Sequence, residues 1–325
     1  MKISHFRQFS NMLSLSAPPA DPQVLQTLLL EHGFDPENLY QELEMESRFV
    51  DTHRDVSWSN DTMNLHSHSF MELLYCVNTC GAEYLVGAER YRLQKGDIIM
   101  VPPGTSHRPL LPEHMPEPYQ RDVLWVSTEF LETLYQQFPD DQVYPISGSM
   151  LLRTAGTKWE FLGDLFRAGV RESEARDGGW EPMVIGNTIQ LLVQIRRALL
   201  DRSARLLKAE EPELLDQVLA YIEENLSNRI TLADTAKRFY VSESTISHTF
   251  KEKMGTSFYR CITQRRLIAA KGLILEGQAM DDVATKVGFG DYSGFYRAFK
   301  QEFGISPRQF RRMQDSGDSA REGQP

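Results

Sequence analysis

Residues 231–255 read TLADTAKRFYVSESTISHTFKEKMG, and residues 280–304 read MDDVATKVGFGDYSGFYRAFKQEFG. Ala236 in the first stretch matches Ala284 in the second at an offset of 48 residues, whereas Phe250 matches Phe299 at an offset of 49. The second stretch has therefore gained one residue between these positions. Each stretch has the length of two short helices joined by a turn, so the sequence predicts a helix-turn-helix unit that occurs twice.

Apolar residues at helical spacing predict which faces of these helices meet. In the first unit Leu232, Ala236 and Phe239 share one face, as do Ile246 and Phe250. The opposite face of each second helix carries hydrogen-bonding side chains: Ser244, Thr245, Ser247, His248 and Lys251 in the first unit, and Tyr292, Ser293, Tyr296, Arg297 and Lys300 in the second. A helix fits the major groove of DNA, where Arg, Ser and Thr contact base edges and Lys neutralises phosphate. Duplex DNA is the predicted partner, although any one of these side chains, taken alone, is more typical of a solvated helix surface.

Residues at the ends of the predicted helices agree with this arrangement. Ser242 stands where an N-cap is needed, and Gly255 and Gly304 follow the last apolar residues as helix stops. Ser306 and Pro307 predict a closing helix, because serine is a good cap and proline is tolerated in the first turn.

The segment between the two units predicts one connecting helix. Residues 257–275 contain no proline, and Phe258, Ile262, Ala269 and Leu273 fall on one face. A helix of this length spans roughly 28 Å, close to the roughly 34 Å between successive major-groove faces of B-DNA. Such a helix would hold both units on one side of the duplex.

The duplicated pattern resembles the DNA-binding domain of the AraC/XylS family of transcriptional regulators. The resemblance covers residues 213–313, and its most specific part runs from Gly288-Phe289 through Phe299-Lys300 and Phe303-Gly304 to Ser306-Pro307. It implies base reading by Ser244, Ser247 and His248 in the first unit and by Tyr292, Ser293 and Arg297 in the second. The full predicted DNA-binding set is Ser242, Ser244, Thr245, Ser247, His248, Lys251, Asp291, Tyr292, Ser293, Tyr296, Arg297 and Lys300. A homodimer and a contact with RNA polymerase are further implications of the resemblance.

The distribution of charge fits a DNA-binding C-terminal part. The 325 residues carry a net charge of −10, which is unusual for a DNA-binding protein. Residues 1–209 contain 19 Lys and Arg against 28 Asp and Glu, whereas residues 237–312 contain 14 against 7. The basic excess therefore lies with the predicted recognition helices, and we expect DNA binding to weaken with salt.

Cysteine usage and hydropathy indicate a cytoplasmic protein. Cys76, Cys80 and Cys261 do not suggest a disulfide framework. No stretch approaches the roughly 20 apolar residues of a membrane span, and residues 1–20 are too polar for a signal peptide. No membrane partner is expected.

The N-terminal half changes to the periodicity of short strands. Turns that contain glycine separate the segments Phe70–Val77, Glu83–Val86, Glu89–Leu93 and Asp97–Val101. The predicted fold class is therefore α+β, with an N-terminal antiparallel β-barrel and flanking helices followed by an all-α double helix-turn-helix domain. Two further helices are predicted between Asp21 and Glu46, without an assigned role.

Four residues of this half can converge on one point. His66 and His68 would lie on the same face of a strand, because side chains alternate along it; Glu72 and His107 are the other two. The stretch 48–127 resembles the cupin fold, whose two motifs are matched by these four residues and by the turn from Gly96 to Gly104. The resemblance predicts a cupin-like sensor.

The sensor is expected to bind an organic effector, for which sugars or related polar metabolites are the leading class by resemblance. The predicted effector-binding residues are His66, His68, Glu72, His107, Trp58 and Tyr75, with no catalytic residue, cofactor or metal. Three imidazoles and a carboxylate also suit iron, manganese, zinc or nickel, so a metal-dependent cupin enzyme with a DNA-binding appendage is one alternative. An effector-independent architectural DNA-binding protein with an inert barrel is another, and aromatic residues in a small barrel are more often core.

Helices are predicted after the barrel at Thr128–Phe138, Lys158–Ala175 and Trp180–Arg205. In the last of these, Ile185, Leu192 and Leu199 fall seven residues apart. This stripe suits either pairing with a second copy of the chain or packing on its own barrel, and the family resemblance favours homodimerisation. The expected domains are an N-terminal helical extension (1–47), the cupin-like domain (48–127), a helical dimerisation region (128–205), a linker (206–212), the DNA-binding domain (213–313) and a disordered tail (314–325).

Overall fold

The computed structural model describes residues 45–58, 65–112, 114–139, 150–201, 205–207 and 213–312. The helices expected between Asp21 and Glu46 lie almost entirely outside these residues, as do most of the expected linker and the tail at 314–325. The chain divides into two compact units, of which the first ends at Pro212 and the second begins at Glu213.

Two antiparallel sheets form the core of the first unit. Their strands are β1 (Val50–Ser57), β2 (Met71–Asn78), β3 (Glu83–Val86), β4 (Glu89–Arg92), β5 (Asp97–Val101), β6 (His107–Leu110), β7 (Tyr119–Val126), β8 (Met150–Arg153) and β9 (Arg205–Leu207). The larger sheet has the order β1-β7-β2-β5-β8-β9, and the smaller has the order β4-β3-β6. The antiparallel, cupin-like arrangement is the one predicted, but within the described residues the sheets do not join into a closed barrel.

Strand alternation divides the larger sheet into two buried faces. Along β2, Leu73 and Tyr75 belong to the core shared with the helices, whereas Leu74 and Cys76 belong to the core between the sheets. Glu72, which is 5% exposed, lies on the same side as Leu74. Because both faces are covered, this strand is apolar at nearly every position, as its sequence indicates.

Three helices follow or interrupt the strands of the first unit: α1 (Thr128–Gln137), α2 (Leu162–Ala175) and α3 (Trp180–Leu200). The prediction that the last helix continues to Arg205 is wrong. Asp201 has an extended backbone, and Arg205–Leu207 instead pairs with Leu151–Arg153, which provides a hydrogen-bonding partner for that strand. Helix α2 also begins later than predicted, because residues 157–162 form turns in which Glu160 donates to the carbonyl of Thr157 (3.2 Å) and Leu162 to that of Trp159 (3.0 Å).

The apolar stripe of α3 packs at least partly within its own unit. Leu192 is buried in the core between the sheet and the helices, and Ile185 and Leu199 are partly buried against that core. Met183 and Leu200 remain exposed on the same helix. The intramolecular use of the stripe is therefore present, and the dimer contact stays a prediction.

The second unit consists of helices. They are α4 (Leu214–Glu224), α5 (Leu232–Arg238), α6 (Glu243–Met254), α7 (Phe258–Leu275), α8 (Met280–Lys286) and α9 (Tyr292–Phe303), followed by a helical stretch at 307–312. The pairs α5–α6 and α8–α9 are the two predicted helix-turn-helix units, and α7 is the predicted connecting helix. None of the described helices combines the length and apolar character that a membrane crossing requires.

Helix α7 buries more than the single face that the sequence predicts. Phe258 and Ile262 are buried as expected, but Ala269 is only half-buried, and Ala270 and Ile274 are buried in its place. The helix contacts α6 near its start and α8 and α9 further along. Because its partners change along its length, its buried stripe rotates.

Candidate nucleic-acid interface and effector site

Helix α6 is oriented by a cap and by an apolar stripe. The hydroxyl of Ser242 accepts a hydrogen bond from the backbone nitrogen of Thr245 (3.1 Å), which is the predicted N-cap. Ile246, Phe250 and Met254 are buried on one side of the helix. This leaves the predicted contact residues exposed together, namely Ser242, Ser244, Thr245, Ser247, His248 and Lys251.

Helix α9 repeats this geometry with different side chains. Asp291 caps it by accepting from the backbone nitrogen of Gly294 at 2.7 Å, and Phe295 and Phe299 are fully buried. The exposed residues are Asp291, Ser293, Tyr296, Arg297 and Lys300, whereas Tyr292 is half-buried. Ring centroids of Tyr292 and Phe295 are 6.0 Å apart, so Tyr292 packs on the helix core as well as facing outward.

Four of the predicted contact residues of α6 and its cap already have partners within the protein. The Ser242 hydroxyl lies 2.7 Å from that of Ser244 and 2.8 Å from that of Thr245. The imidazole of His248 lies 3.4 Å from the carboxylate of Glu252, with both side chains exposed. These groups would have to exchange partners to contact a base or a phosphate.

The turns inside the two helix-turn-helix units differ in a way that the sequence did not predict. Tyr240 and Gly288 occupy equivalent turn positions with φ angles of 57° and 84°, in the left-handed region. A Cβ added at Gly288 would lie 2.2 Å from the carbonyl oxygen of Leu226. Only glycine fits this second turn without displacement, whereas the first turn carries an exposed tyrosine.

Helix α7 is tied to elements on both sides of it. The buried guanidinium of Arg265 pairs with the carboxylate of Glu223 on α4. Gln264 donates to Glu302 on α9 (3.0 Å), and Arg266 donates to the carbonyl of Leu226 (2.9 Å). The separation between the two recognition helices is therefore set by a helix that packs against both helix-turn-helix units.

In the compact unit that ends at Pro212, His66 and His107 are joined through their backbones. The nitrogen of His66 donates to the carbonyl of His107 (3.2 Å), and the reverse bond is 2.9 Å. The prediction that His66 and His68 lie on a regular strand is wrong, because this one bridge is the only pairing of their segment within the described residues. The three imidazoles nevertheless converge: one nitrogen from each of His66, His68 and His107 lies within 4.8 Å of the others.

Glu72 completes this cluster from the adjacent strand β2. Its Oε2 lies 3.0 Å from Nε2 of His107 and 3.7 Å from Nε2 of His68. Its other oxygen accepts a 2.8 Å hydrogen bond from the indole nitrogen of Trp125. The structure therefore brings four predicted effector-site residues together, and Trp125 orients the carboxylate.

Hydrogen bonds to carbonyls fix the tautomers of two imidazoles. Nδ1 of His68 lies 2.9 Å from the carbonyl oxygen of Phe70, and Nδ1 of His107 lies 2.8 Å from that of Thr105. A carbonyl oxygen can only accept, so each Nδ1 carries a proton and the neutral ring has its lone pair on Nε2.

Burial and charge act in opposite directions on this cluster. Burial by itself raises the pKa of Glu72, but the imidazoles of His107 and His68 outweigh it and hold the pKa of the carboxyl well below its ordinary value. Burial lowers the pKa of His68 despite the adjacent carboxylate. The cluster thus presents an ionised carboxylate and a neutral His68.

Two predicted effector residues lie apart from the cluster. Trp58 is 51% exposed just after the end of β1. Tyr75 faces the helices, where its ring centroid is 5.5 Å from that of Phe166. Its orientation follows from alternation: Tyr75 is three residues from Glu72 and so points to the other face of β2.

A second buried polar group between the sheets was missed by the sequence analysis. Arg121 on β7 donates to Asp55 (2.9 Å) and to Ser57 (3.1 Å), both on β1. His53, one pair further along the same strand, is fully buried with its ring 5.0 Å from that of Trp125. The available signal was the row of polar residues at 51, 53, 55 and 57, which share one face of a strand.

Comparison with known proteins places the helical unit in a described domain family. A helix-turn-helix domain family matches residues 235–313. The HTH-type transcriptional activator RhaS of Salmonella dublin is 28% identical over 260 residues, which are 77% of this chain and 88% of that protein. RhaS of Salmonella arizonae matches with the same identity and coverage.

Solved structures are similar to the chain as well. The C-terminal domain of AraT, a response regulator from Geobacillus stearothermophilus, is 30% identical and covers 31% of this chain and 84% of that chain, with a TM-score of 0.30. ToxT from Vibrio cholerae O395 is 13% identical and covers 81% of this chain and 96% of that chain, with a TM-score of 0.34.

Proposed function

Since the chain belongs to the AraC/XylS family of transcriptional regulators, we propose that α6 and α9 read specific DNA sequences and that a small molecule bound by the first unit controls this reading. The observation that carries the proposal is the duplicated surface: two capped helices expose polar residues and are joined through one connecting helix. Because relatives that match over 88% of their own length are named transcriptional activators, activation is the proposed direction. The proposed setting is the cytoplasm, with a homodimer acting at DNA.

The proposed contacts divide between bases and phosphates. Arg297, Ser293 and Tyr296 project from the exposed side of α9, where arginine is suited to bidentate contact with guanine. Lys251 and Lys300 lie near the C-terminal ends of their helices and suit phosphate contacts. On α6 the exposed groups are mainly small hydroxyls, so α9 is the stronger candidate for direct base reading.

A selection of bound fragments from a random duplex pool, with and without cell extract, tests the proposal. We expect enrichment of one sequence family, with Arg297→Ala weakening binding to it by about 1–3 kcal/mol and relaxing selectivity at one base pair. Arg171→Ala is the matched control, because it removes the same charge from an exposed position on α2 of the first unit. An equal loss on every sequence would make Arg297 a phosphate contact, and no loss would remove it from the interface.

For the first unit we propose a small polar effector, with sugars and related metabolites as the leading class. The cluster of His66, His68, Glu72 and His107 is the proposed attachment point, because it gathers polar groups among apolar walls. A ligand that binds only the folded unit must raise its melting temperature. A thermal-shift panel of sugars and related metabolites therefore tests this part independently of DNA.

A further inference from the structure

Glu302 joins the recognition helix α9 to the connecting helix α7 through both of its carboxylate oxygens. Oε1 accepts a 3.0 Å hydrogen bond from Nε2 of Gln264, and Oε2 forms an ion pair with the guanidinium of Arg260. Gln264 and Arg260 are four residues apart, so they share one face of α7. One side chain of α9 is therefore held by two successive turns of the connecting helix.

Burial makes the bond to Gln264 the stronger of these two contacts. Gln264 is 7% exposed and the Glu302 side chain is 15% exposed, whereas the Arg260 side chain is 43% exposed. An exposed ion pair contributes little, because water screens it. A hydrogen bond to a charged group that is largely removed from water is stronger, and it is directional. The carboxylate can only accept, so the amide nitrogen of Gln264 must face it.

The turn before α9 provides a second fixed point. Gly288 lies so close to the carbonyl oxygen of Leu226 that a Cβ would not fit, and the same oxygen accepts a 2.9 Å hydrogen bond from Arg266 of α7. Helix α9 contains 12 residues and is roughly 18 Å long. It is therefore held by a backbone contact before its first turn and by the Glu302 side chain in its last turn.

Apolar packing alone does not define the direction of α9. Phe295 and Phe299 are buried in a core shared with α7, but burial is non-directional, and helix packing specifies a crossing angle only to about 15–20°. If a helix roughly 18 Å long is fixed at one end, a change of about 15° moves the other end by roughly 5 Å. This exceeds the roughly 3.4 Å rise of one base pair. A directional bond at the far end removes that freedom.

We propose that Glu302, through its bond to Gln264, is the positioning residue that fixes the direction of α9 and with it the base-pair register between the two recognition helices. The claim about helix direction depends only on contacts within the helical compact unit. Its consequence for DNA rests on the proposed function.

The first helix-turn-helix unit supplies an internal comparison. Lys253 of α6 lies 49 residues before Glu302, at the equivalent position, and it pairs with Glu213 at the start of α4. These two side chains are 40% and 49% exposed, so their ion pair should contribute little to the direction of α6. Lys253→Ala is therefore a matched control, because it removes an exposed contact from the same place in the repeat.

The direction of α9 can be measured without DNA by double electron–electron resonance. Nitroxide labels at Ser247→Cys and Ser293→Cys, which are exposed positions of α6 and α9, report the distance between the two helices. The full-length protein also carries Cys80→Ser, because Cys76 and Cys261 are already buried. Excess unlabelled protein confines the signal to one chain. We expect one narrow distance distribution.

Variants of the Glu302 contact should change this distribution selectively. Glu302→Ala and Gln264→Ala should each broaden it by up to roughly 5 Å, and the double variant should broaden it no further, because both changes remove the same bond. Glu302→Gln should keep it narrow, since its amide oxygen still accepts from Gln264. Lys253→Ala should also keep it narrow, and melting curves establish that each variant is folded.

The consequence for DNA is measured on the selected binding site. One base pair inserted between the subsites of α6 and α9 should weaken binding by the parent protein about 10-fold or more, as a mismatched base pair does, but binding by Glu302→Ala less than about 3-fold. Glu302→Gln should behave like the parent. It loses the same charge as Glu302→Ala, so the comparison separates helix direction from attraction to phosphate.

A narrow distribution in both Glu302→Ala and Gln264→Ala would overturn the inference, whether or not the protein selects a DNA sequence. A parent protein that binds the lengthened site as tightly as the original would overturn it as well, because α9 would then have no fixed register. Broadening in Glu302→Ala but not in Glu302→Gln, in a protein that selects no sequence, would refute the proposed function and support the assigned role of Glu302 in helix direction.

Discussion

Gly288 and Tyr240 occupy equivalent backbone positions in the two helix-turn-helix units, but their surroundings differ. Both have positive φ, but a side chain at 288 would collide with the backbone of Leu226, whereas Tyr240 projects freely and is 96% exposed. The second turn is therefore constrained by packing against the end of α4, and the first is constrained only by its own conformation.

We expect Gly288→Ala to destabilise the second unit by about 2–4 kcal/mol, since it adds steric overlap to the cost of a left-handed backbone. Tyr240→Gly should have the opposite effect on the free energy of unfolding and stabilise the same compact unit by up to about 1 kcal/mol. Urea unfolding of both variants, followed by circular dichroism, measures the two effects. If Gly288→Ala were as stable as the parent protein, the close packing at Leu226 would be wrong.

Lys271 is a single buried residue that should make the stability of the second compact unit depend on pH. It is buried in α7 with its ammonium group 5.3 Å from the ring of Phe303 and 5.8 Å from that of Phe310. Burial lowers the pKa of Lys271 from 10.5 to about 7. Between these values the unfolded chain holds a proton that the folded chain has lost, so this group's contribution to stability rises with pH and is most unfavourable below pH 7.

Lys271→Met should therefore stabilise the second unit at pH 6, by roughly 2–5 kcal/mol given the size of the shift. The gain should shrink as the pH approaches 10. Melting curves of parent and variant at several pH values measure it. A gain that is constant across this range would show that Lys271 does not change its protonation in the folded protein.

At the scale of helices and strands, local patterns predicted some elements well. Strands β3 and β5 and helix α7 occupy the predicted positions, because glycines, caps and apolar periodicity mark their ends. The failures come from contacts distant in sequence. Residues 205–207 become a strand because β8 offers an edge, and His66 reaches the cluster through one bridge to His107 rather than through a strand.

The candidate site, too, could be predicted from the sequence only where it does not depend on contacts between distant residues. The histidines and Glu72 could be found from their spacing, but only the structure shows that Trp125 orients Glu72, because these residues are opposite each other on paired strands. By contrast, the position of Tyr75 could have been predicted from the sequence, because residues three apart on one strand point to opposite faces and Tyr75 therefore cannot share a face with Glu72.

The cap of α9 allows helix stability and electrostatics to be separated. Asp291→Asn keeps a good capping side chain and removes a negative charge beside the proposed DNA surface, so we expect normal stability and tighter DNA binding. Asp291→Ala loses the cap and should cost about 1 kcal/mol. Unfolding curves and DNA titrations at matched salt measure both variants. Weaker binding by a stable Asp291→Asn protein would instead assign the carboxylate a direct contact with a base.

For the whole molecule, charge and function are unevenly divided along the chain. The net charge is −10, yet residues 237–312 contain twice as many basic as acidic residues. Attraction to phosphate is therefore confined to the unit that carries α6 and α9, and the acidic first unit favours no contact with DNA. We expect the association constant for specific DNA to fall steeply between about 50 and 200 mM salt. Each phosphate that the protein neutralises should lower it by a factor roughly equal to the ratio of the two salt concentrations.

We propose that one chain places its two recognition helices, α6 and α9, in adjacent major grooves. Hydroxyl-radical footprinting on the selected DNA site measures this placement. We predict two protected patches per chain about 10–10.5 base pairs apart, with Arg297→Ala weakening protection in only the patch bound by α9. A single patch per chain, or protection that ignores sequence, would show that the two helices do not occupy adjacent grooves.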